Sequence, residues 1–325
     1  MPTYSLERLQ DTIEAVSSLL KQSYPENEVV VVVDRDRNLY SRLLEKLPEH
    51  VHLRLTNDAG ASSARNLGIK EAKGEIVAFI DDDVIVDRDW LVTLVRHYQD
   101  PNVISVGGKI KPLWASDSQR HFPKELYWII GCTYEEGLER VHEVRNNFAG
   151  NMSFRGKVFE HLSFSTSCQK IDGEHSDAEK TKFLGKYLET DDTEFYIRVH
   201  ERFADTKTIY DPKALAYHRI YPYRTSLGHM LRKAFSEGIS KAYIACLYSN
   251  NIKGYALSKE REYFRSLFTK WVPTRVKEVL KGKSIRINVK SILLVSVVSV
   301  TVVAGYLTGS VIYHHRLKSY LSPTC

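Results

Sequence analysis

Cysteine is scarce and scattered in this chain. Cys132, Cys168, Cys246 and Cys325 are its four cysteines, and no two of them stand in a CxxC pair. That spacing suggests neither a thiolate zinc site nor a disulfide framework, and it suits a reducing compartment. A strong net charge is also missing. At +6, with 26% charged and 43% apolar residues, the composition is that of an ordinary globular protein and gives no reason to expect a nucleic-acid partner. The chain opens on MPTYSLERLQ, which is polar and charged, so no signal peptide is expected. No internal repeat is found. The one N-glycosylation sequon is NMS at Asn151; in a cytoplasmic domain it would be a chance match.

What is present is uneven. Between Lys270 and Lys290 stand Lys270, Arg275, Lys277, Lys281, Lys283, Arg286 and Lys290 against the acid Glu278, a block suited to an anionic membrane surface. Directly after it, SILLVSVVSVTVVAGYLTGSVIY (291–313) carries no charge. As a helix it spans roughly 34 Å, enough to cross a bilayer core. Its valine content also allows a buried helix or two core strands. Its length and the cations on both flanks favour the membrane helix, with Ala304, Gly305 and Gly309 open to close approach by another helix. Four stretches follow: a globular domain over 1–250, a basic interfacial segment over 251–290, a transmembrane helix over 291–313 and a short tail over 314–325.

The first half alternates strands and helices. Helical spacing of Leu9, Ile13, Val16 and Leu20 predicts a helix over 5–22 with that face buried. EVVVVVD (28–34) is the pattern of a buried parallel strand. A helix over 39–47, a strand over 51–57, a helix from Gly60 to Gly74, a strand EIVAFID (75–81), a helix over 89–99 and a strand NVISVGGKIKP (102–112) follow. This order predicts an α/β fold, a mostly parallel sheet with helices on both faces. Beyond it, 115–150 is loop-rich and aromatic, 162–190 is polar and partly mobile, and 192–203 and 225–249 are helical. Ligands of such sheets bind at the carboxyl ends of the strands. Asp34 and the triplet Asp81, Asp82 and Asp83 both stand at such ends. Alone, the triplet reads as a solvated turn. Beside Asp34 it reads as a site where a cation turns repulsion into attraction.

The order PTY…VVVVVD…NDAGASSARNLGIKEAKGEIVAFIDDD…GNMSFR…TDDTEFYIR resembles the family-2 glycosyltransferases of GT-A (Rossmann-like) fold, from Pro2 to about Tyr248. Within that family FPKELYWIIGCTY, VRNNFAGNMSF and RTSLGHMLRKAFSEGISKA look most like archaeal glucosyl-dolichyl phosphate glucuronosyltransferases. The resemblance makes Asp81 and Asp83 the outer members of a DxD motif around Asp82, holding Mn²⁺ or Mg²⁺ against the donor diphosphate. Asp83 stands nearest the metal and Asp81 nearer the ribose. It gives Asp34 the base or ribose of the nucleotide, although Arg35 follows where the family often has a second acid. Arg65 and Asn66 line the nucleotide pocket. Asn151 and Ser153 donate hydrogen bonds to the sugar. His218 is a third metal ligand or a structural histidine.

In TDDTEFYIRVH an acidic pair opens a helix beneath the acceptor. Asp192 is the general base with Asp191 as its substitute, unless the acids only cap the helix. Phe195 and Ile197 face the core and Arg198 faces solvent or a phosphate. Arg219 and Arg224 are candidates for a diphosphate or a uronic carboxylate.

The resemblance implies an inverting, metal-dependent transferase. It moves a sugar, glucuronic acid being one candidate, from a UDP-sugar or similar donor to a dolichyl- or polyprenyl-phosphate-linked sugar. It is a single-pass membrane protein with its catalytic domain in the cytoplasm. Two other readings stand beside it: a transferase whose acceptor is bare polyprenyl phosphate, and an inactive membrane-tethered scaffold that binds nucleotide sugar. The scaffold is raised by one departure. Family members have a short apolar strand before PTY, whereas here the chain begins at Met1–Pro2, so the central first strand is expected to be absent.

Overall fold

The computed structural model describes residues 1–134, 139–166, 191–248 and 257–321, without the side chains of 118, 191 and 314–321. The polar stretch expected to be partly mobile lies largely outside these residues. The described residues fall into two compact units. The first lies within Met1–Arg120, Ile130–Ser176 and Asp191–Tyr221, and the second within His121–Ile129, Asp177–Thr190 and Pro222–Cys325.

The first unit begins with three parallel strands, β1 (Pro2–Thr3), β2 (Val30–Asp34) and β3 (His52–Thr56), in that spatial order. The strand expected to be absent is present as two residues, Pro2 and Thr3, paired with Val32 and Val33. Successive valines of β2 point to opposite faces. Val31 and Val33 join a buried cluster with Val16 of helix α1 (Leu9–Leu20) and with Leu39 and Leu43 of α2 (Arg37–Lys46). Val32 lies against Gly68 of α3 (Ala61–Glu71) on the other face. Helices thus cover both sides of a fully apolar strand, as its unbroken valine run requires.

The second sheet is mixed. Strands β4 (Ile76–Phe79), β5 (Val84–Val86), β6 (Val103–Trp114), β7 (His142–Glu143), β8 (Met152–Arg155) and β9 (Lys207–Ile220) run in the order β4-β8-β6-β9-β5, with β7 on β9. β6 pairs parallel with β9 and antiparallel with β8. Short α4 (Trp90–Val95) precedes β6, and α5 (Asp191–Arg202) precedes β9. Phe195 and Ile197 of α5 are fully buried, as expected. Phe195 stacks on Phe164 with centroids 4.2 Å apart, inside an aromatic cluster that includes Phe79, Phe154 and Tyr196.

The second unit is helical: α6 (Leu227–Leu247), α7 (Ser258–Ser266), α8 (Val272–Leu280) and α9 (Ile285–Leu321). Within α9, Ile285–Tyr313 is long and apolar enough to cross a membrane. α6 and α9 meet through glycine. A Cβ on Gly238 would lie 2.1 Å from the Val302 carbonyl oxygen, and one on Gly305 would lie 2.3 Å from that of Phe235. Two backbones come this close only where both helices lack a side chain. The opposite face of α9 leaves Leu293, Val297, Val300, Leu307 and Val311 exposed. The hydroxyls of Thr301 and Thr308 donate to Val297 and Ala304 oxygens one turn back, both at 2.9 Å, so these polar groups need no water.

Gly238→Val should therefore force the two helices apart and cost about 1–3 kcal/mol or more, the usual toll of overpacking. Gly228 begins the same helix with nothing within 4 Å of its Cβ position, so Gly228→Ala should leave stability unchanged or slightly raised. Thermal unfolding of the detergent-solubilised chain checks both. Equal midpoints for the two variants would refute the close crossing.

Candidate active site

The triplet Asp81–Asp83 occupies the turn from β4 into β5, which Val84 N–H closes onto the Asp81 carbonyl at 3.2 Å. β5 then pairs with β9 so that Val84 lies opposite His218. That register delivers the histidine to the acid: His218 Nε2 lies 3.2 Å from Asp83 Oδ1. The other oxygen, Oδ2, accepts from Arg8 Nη1 at 2.8 Å. Asp83, Arg8 and His218 are all buried, and burial makes a charge expensive unless it is paired.

Arg8 precedes α1 and reaches a second acid, Asp11, at 3.3 Å. Its guanidinium also stands 5.9 Å from the Tyr4 ring and 5.7 Å from the Tyr221 ring. Burial works against its charge, but the charges of Asp83 and Asp82 prevail and hold it more firmly cationic than usual. Asp11 in turn accepts from Arg219 Nη1 and from the Tyr221 hydroxyl, both at 2.8 Å. Arg219 is also bonded to Glu14. Arg219, a candidate for diphosphate or a uronic acid, is therefore engaged by two acids of α1.

Asp82 is buried. That burial, and then the charge of Asp83, pushes its carboxyl up to about 7, while a hydrogen bond with the Thr3 hydroxyl pulls it down. Its Oδ2 has no hydrogen-bond partner. Asp81 is the more open member and pairs with Arg65 Nη2 at 3.1 Å. Arg65 lies on α3, whose start is held by the other strand-end acid. Asp34 Oδ2 accepts from the Gly60 N–H at 2.8 Å, where the φ of +98° demands glycine. The first turns of α3 thus tie the ends of β2 and β4 together. Arg35, in place of a second acid, takes the left-handed conformation at φ 59° and turns its Nε to Asp34 Oδ1 at 3.0 Å.

Several expected contacts are redirected. Asn151 is fully buried; its amide donates to the carbonyls of Lys109 and Ala214, and its oxygen accepts from Trp90 Nε1. Ser153 is equally buried and bonds the Val106 carbonyl and the Tyr98 hydroxyl. Both are expected to donate to a sugar; in the structure Asn151, in the turn before β8, and Ser153, within it, are buried and bond the second sheet. Asn66 clamps the Phe164 backbone, donating to its oxygen at 2.8 Å and accepting from its N–H at 2.9 Å. Its amide holds a loop in the structure. Arg198 grips Glu194 at 2.7 Å and the Ser163 carbonyl at 2.8 Å.

Asp191 opens α5, with its side chain outside the described residues. Asp192 Oδ1 accepts from the Thr193 N–H at 2.6 Å and the Thr193 hydroxyl at 3.4 Å. Arg8, Asp11, Thr3 and Tyr221 were not foreseen. Their one signal is a run of polar residues at helical spacing, Arg8, Asp11 and Thr12, beside the apolar stripe of α1.

Among the described residues no group of three or more His, Cys, Asp or Glu side chains is gathered to hold a metal. Asp83 and His218 supply two donors. That suits a divalent ion that tolerates imidazole, with phosphate oxygens and water in its remaining positions; Mg²⁺ itself prefers an all-oxygen set. The unpartnered, buried Asp82 oxygen agrees with a missing cationic neighbour. An open cleft of about 700 Å³ lined by Glu14, Lys21 and Arg88 contains none of these acids.

Residues 1–163 match the family model described as glycosyl transferase family 2. Over 312 residues the chain is 30% identical to a glucosyl-dolichyl phosphate glucuronosyltransferase of Haloferax volcanii, covering 94% of each. It is 26% identical over 151 residues to the glycosyltransferase GlyG of Streptococcus pneumoniae, covering 45% of this chain and 48% of that one. Among solved structures, a mannosyltransferase of Pyrobaculum calidifontis in complex with GDP-Man and Mn²⁺ superposes with a TM-score of 0.55 at 18% identity. That match covers 94% of this chain and 85% of the other, and it shows the GT-A fold.

Asn151→Ala would leave the Trp90 indole N–H and two carbonyls without their partner. At about 1–3 kcal/mol for a buried group left unpaired, it should destabilise clearly in urea unfolding while the KM for donor stays within twofold or so. Normal stability with a raised donor KM would return Asn151 to the sugar.

Proposed function

This chain belongs to glycosyl transferase family 2 and is thus an enzyme that transfers a glycosyl group. From that premise we propose an inverting, metal-dependent transferase acting on lipid-linked acceptors. Its donor is a nucleotide sugar, UDP-glucuronic acid being the first candidate, and its acceptor is a sugar carried on dolichyl or polyprenyl phosphate. The relative from Haloferax volcanii, whose name carries both dolichyl phosphate and glucuronosyl transfer, supports this choice.

The observation that carries the reading is the pairing of buried Asp83 with His218 at the end of a strand, beside Asp81 held by Arg65. In this reading Asp83 and His218 hold Mn²⁺ or Mg²⁺, and Asp81 faces the ribose. The ion, when bound, offsets charge on the departing diphosphate. Asp34 takes the base or ribose. Asp192 accepts the proton of the acceptor hydroxyl as its oxygen attacks the anomeric carbon and the bond to diphosphate breaks, a single displacement with inversion.

A bare polyprenyl phosphate is the second acceptor to weigh. Such a phosphate is already largely ionised near neutrality, with a second pKa of about 6, and needs no base. The Thr193 contacts of Asp192 give that acid a capping role that would remain under this alternative.

The membrane supplies the acceptor. The cations between Lys270 and Lys290 lie at its cytoplasmic surface, and 291–313 cross it. The exposed apolar face of α9, from Leu293 to Val311, supports the crossing, because each large aliphatic side chain left in water forgoes about 1.5–3 kcal/mol. The catalytic domain is inside, where nucleotide sugars are made.

Two substitutions test the chemistry. Asp83→Asn should abolish transfer together with the Mn²⁺-dependent part of nucleotide binding, read by calorimetry with UDP; unchanged binding would remove Asp83 from the metal site. Asp192→Asn should cut turnover about 10²- to 10⁴-fold, the usual worth of a positioned base, with donor KM little altered. A loss below about tenfold would favour the phosphate acceptor.

A further inference from the structure

Both carboxylate oxygens of Asp83 are engaged inside the protein. Oδ1 faces His218 Nε2 at 3.2 Å, and Oδ2 takes the Arg8 guanidinium at 2.8 Å. A divalent ion bound by Asp83 needs one of those oxygens, and an ion beside a fixed guanidinium would meet its charge in a buried place where repulsion is poorly screened. The guanidinium also has somewhere to go. Asp11, which also accepts from Arg219 and Tyr221, already lies 3.3 Å from the same Nη1, and the rings of Tyr4 and Tyr221 flank the guanidinium.

We propose that Arg8 is the exchangeable counter-cation of Asp83. It neutralises this acid in the metal-free enzyme and swings onto Asp11 when a divalent ion enters with the nucleotide diphosphate. The exchange makes metal and nucleotide bind together. A divalent ion alone must displace the guanidinium and gains no new anion. An ion arriving with a diphosphate brings negative charge that both cations can share. Arg8 is thereby a positioning residue that sets when the site accepts metal. Asp82, buried with one oxygen unpartnered, leaves the triplet short of positive charge when Arg8 withdraws, and the incoming ion makes up the deficit.

This inference rests on the metal reading of Asp83 given above, and the two fail separately. The test is titration of the full-length, detergent-solubilised protein with Mn²⁺ alone and with Mn²⁺ in the presence of UDP, followed by calorimetry and by the relaxation of water protons. Arg8→Met, which keeps the length of the side chain without its charge, should bind Mn²⁺ alone at least about tenfold tighter than the natural chain. The factor by which UDP tightens Mn²⁺ binding should shrink accordingly, since coupling between two ligands is reciprocal. Arg8→Lys, which keeps the charge, should retain the weak binding of Mn²⁺ alone.

Unchanged Mn²⁺ affinity in a folded Arg8→Met protein, judged by circular dichroism, would overturn the proposal. If that variant does not fold, Arg8→Gln removes the charge and keeps polar contacts to Asp11 and Asp83, and the same comparison decides. If Asp83→Asn itself leaves Mn²⁺-dependent UDP binding intact, the metal reading falls. If Asp83→Asn abolishes it while Arg8→Met changes nothing, only the exchange of Arg8 is refuted.

Discussion

A carboxylate that is 5% exposed cannot stay ionised without partners, and Asp83 recruits them from distant parts of the chain. Arg8 arrives from the segment before α1, and His218 from β9. Each of those partners then needs its own position fixed. Arg8 is steadied by Asp11, Asp11 by Arg219 and Tyr221, and His218 by the pairing of β5 with β9. One buried charge thus ties α1, the turn after β4 and β9 into a single arrangement. The parallel sheet supplies the strand end, but this ionic chain supplies the geometry.

The backbone plan is largely legible in the sequence. Valine-rich β2 and the helices around it are local patterns, and the α/β class with its parallel strands follows from them; the GT-A fold is what the resemblance of the motifs implies. Less legible was whatever depends on pairing across long intervals. No strand is assigned to the β9 stretch from sequence alone, and its ladder partners, β6 and β5, are far upstream. For a related reason α1 is buried on more than its apolar stripe. Val16 joins the cluster around β2 with Leu9 and Ile13 packed against it, and only Leu20 of the stripe is exposed, but Asp11, Thr12 and Ala15 are buried as well. An apolar stripe marks the side that meets hydrophobic neighbours. It gives no notice that another side of the helix is buried against charge.

The site shows the same division. Asp81, Asp83, Arg65 and His218 were visible as types of residue at strand or helix ends, and the structure joins them in pairs. Asn66, Asn151 and Ser153 were equally visible as polar groups in a motif, yet their hydrogen bonds run to backbone and core. A motif records that a polar side chain is wanted. Only the burial around it decides whether the partner is a ligand or the fold itself, and burial is a property of the assembled sheet.

The order of β5 and β9 along the chain bears on how the protein is made. On the order of a hundred residues separate Asp83 from His218, about ten seconds of synthesis at ordinary rates. During that interval the β1–β3 sheet, α1 and the acid triplet have left the ribosome while the histidine and its strand have not. Arg8 is already synthesised at that stage. Of the two contacts that engage Asp83 in the finished site, the one to Arg8 is therefore the one whose partners are both made first.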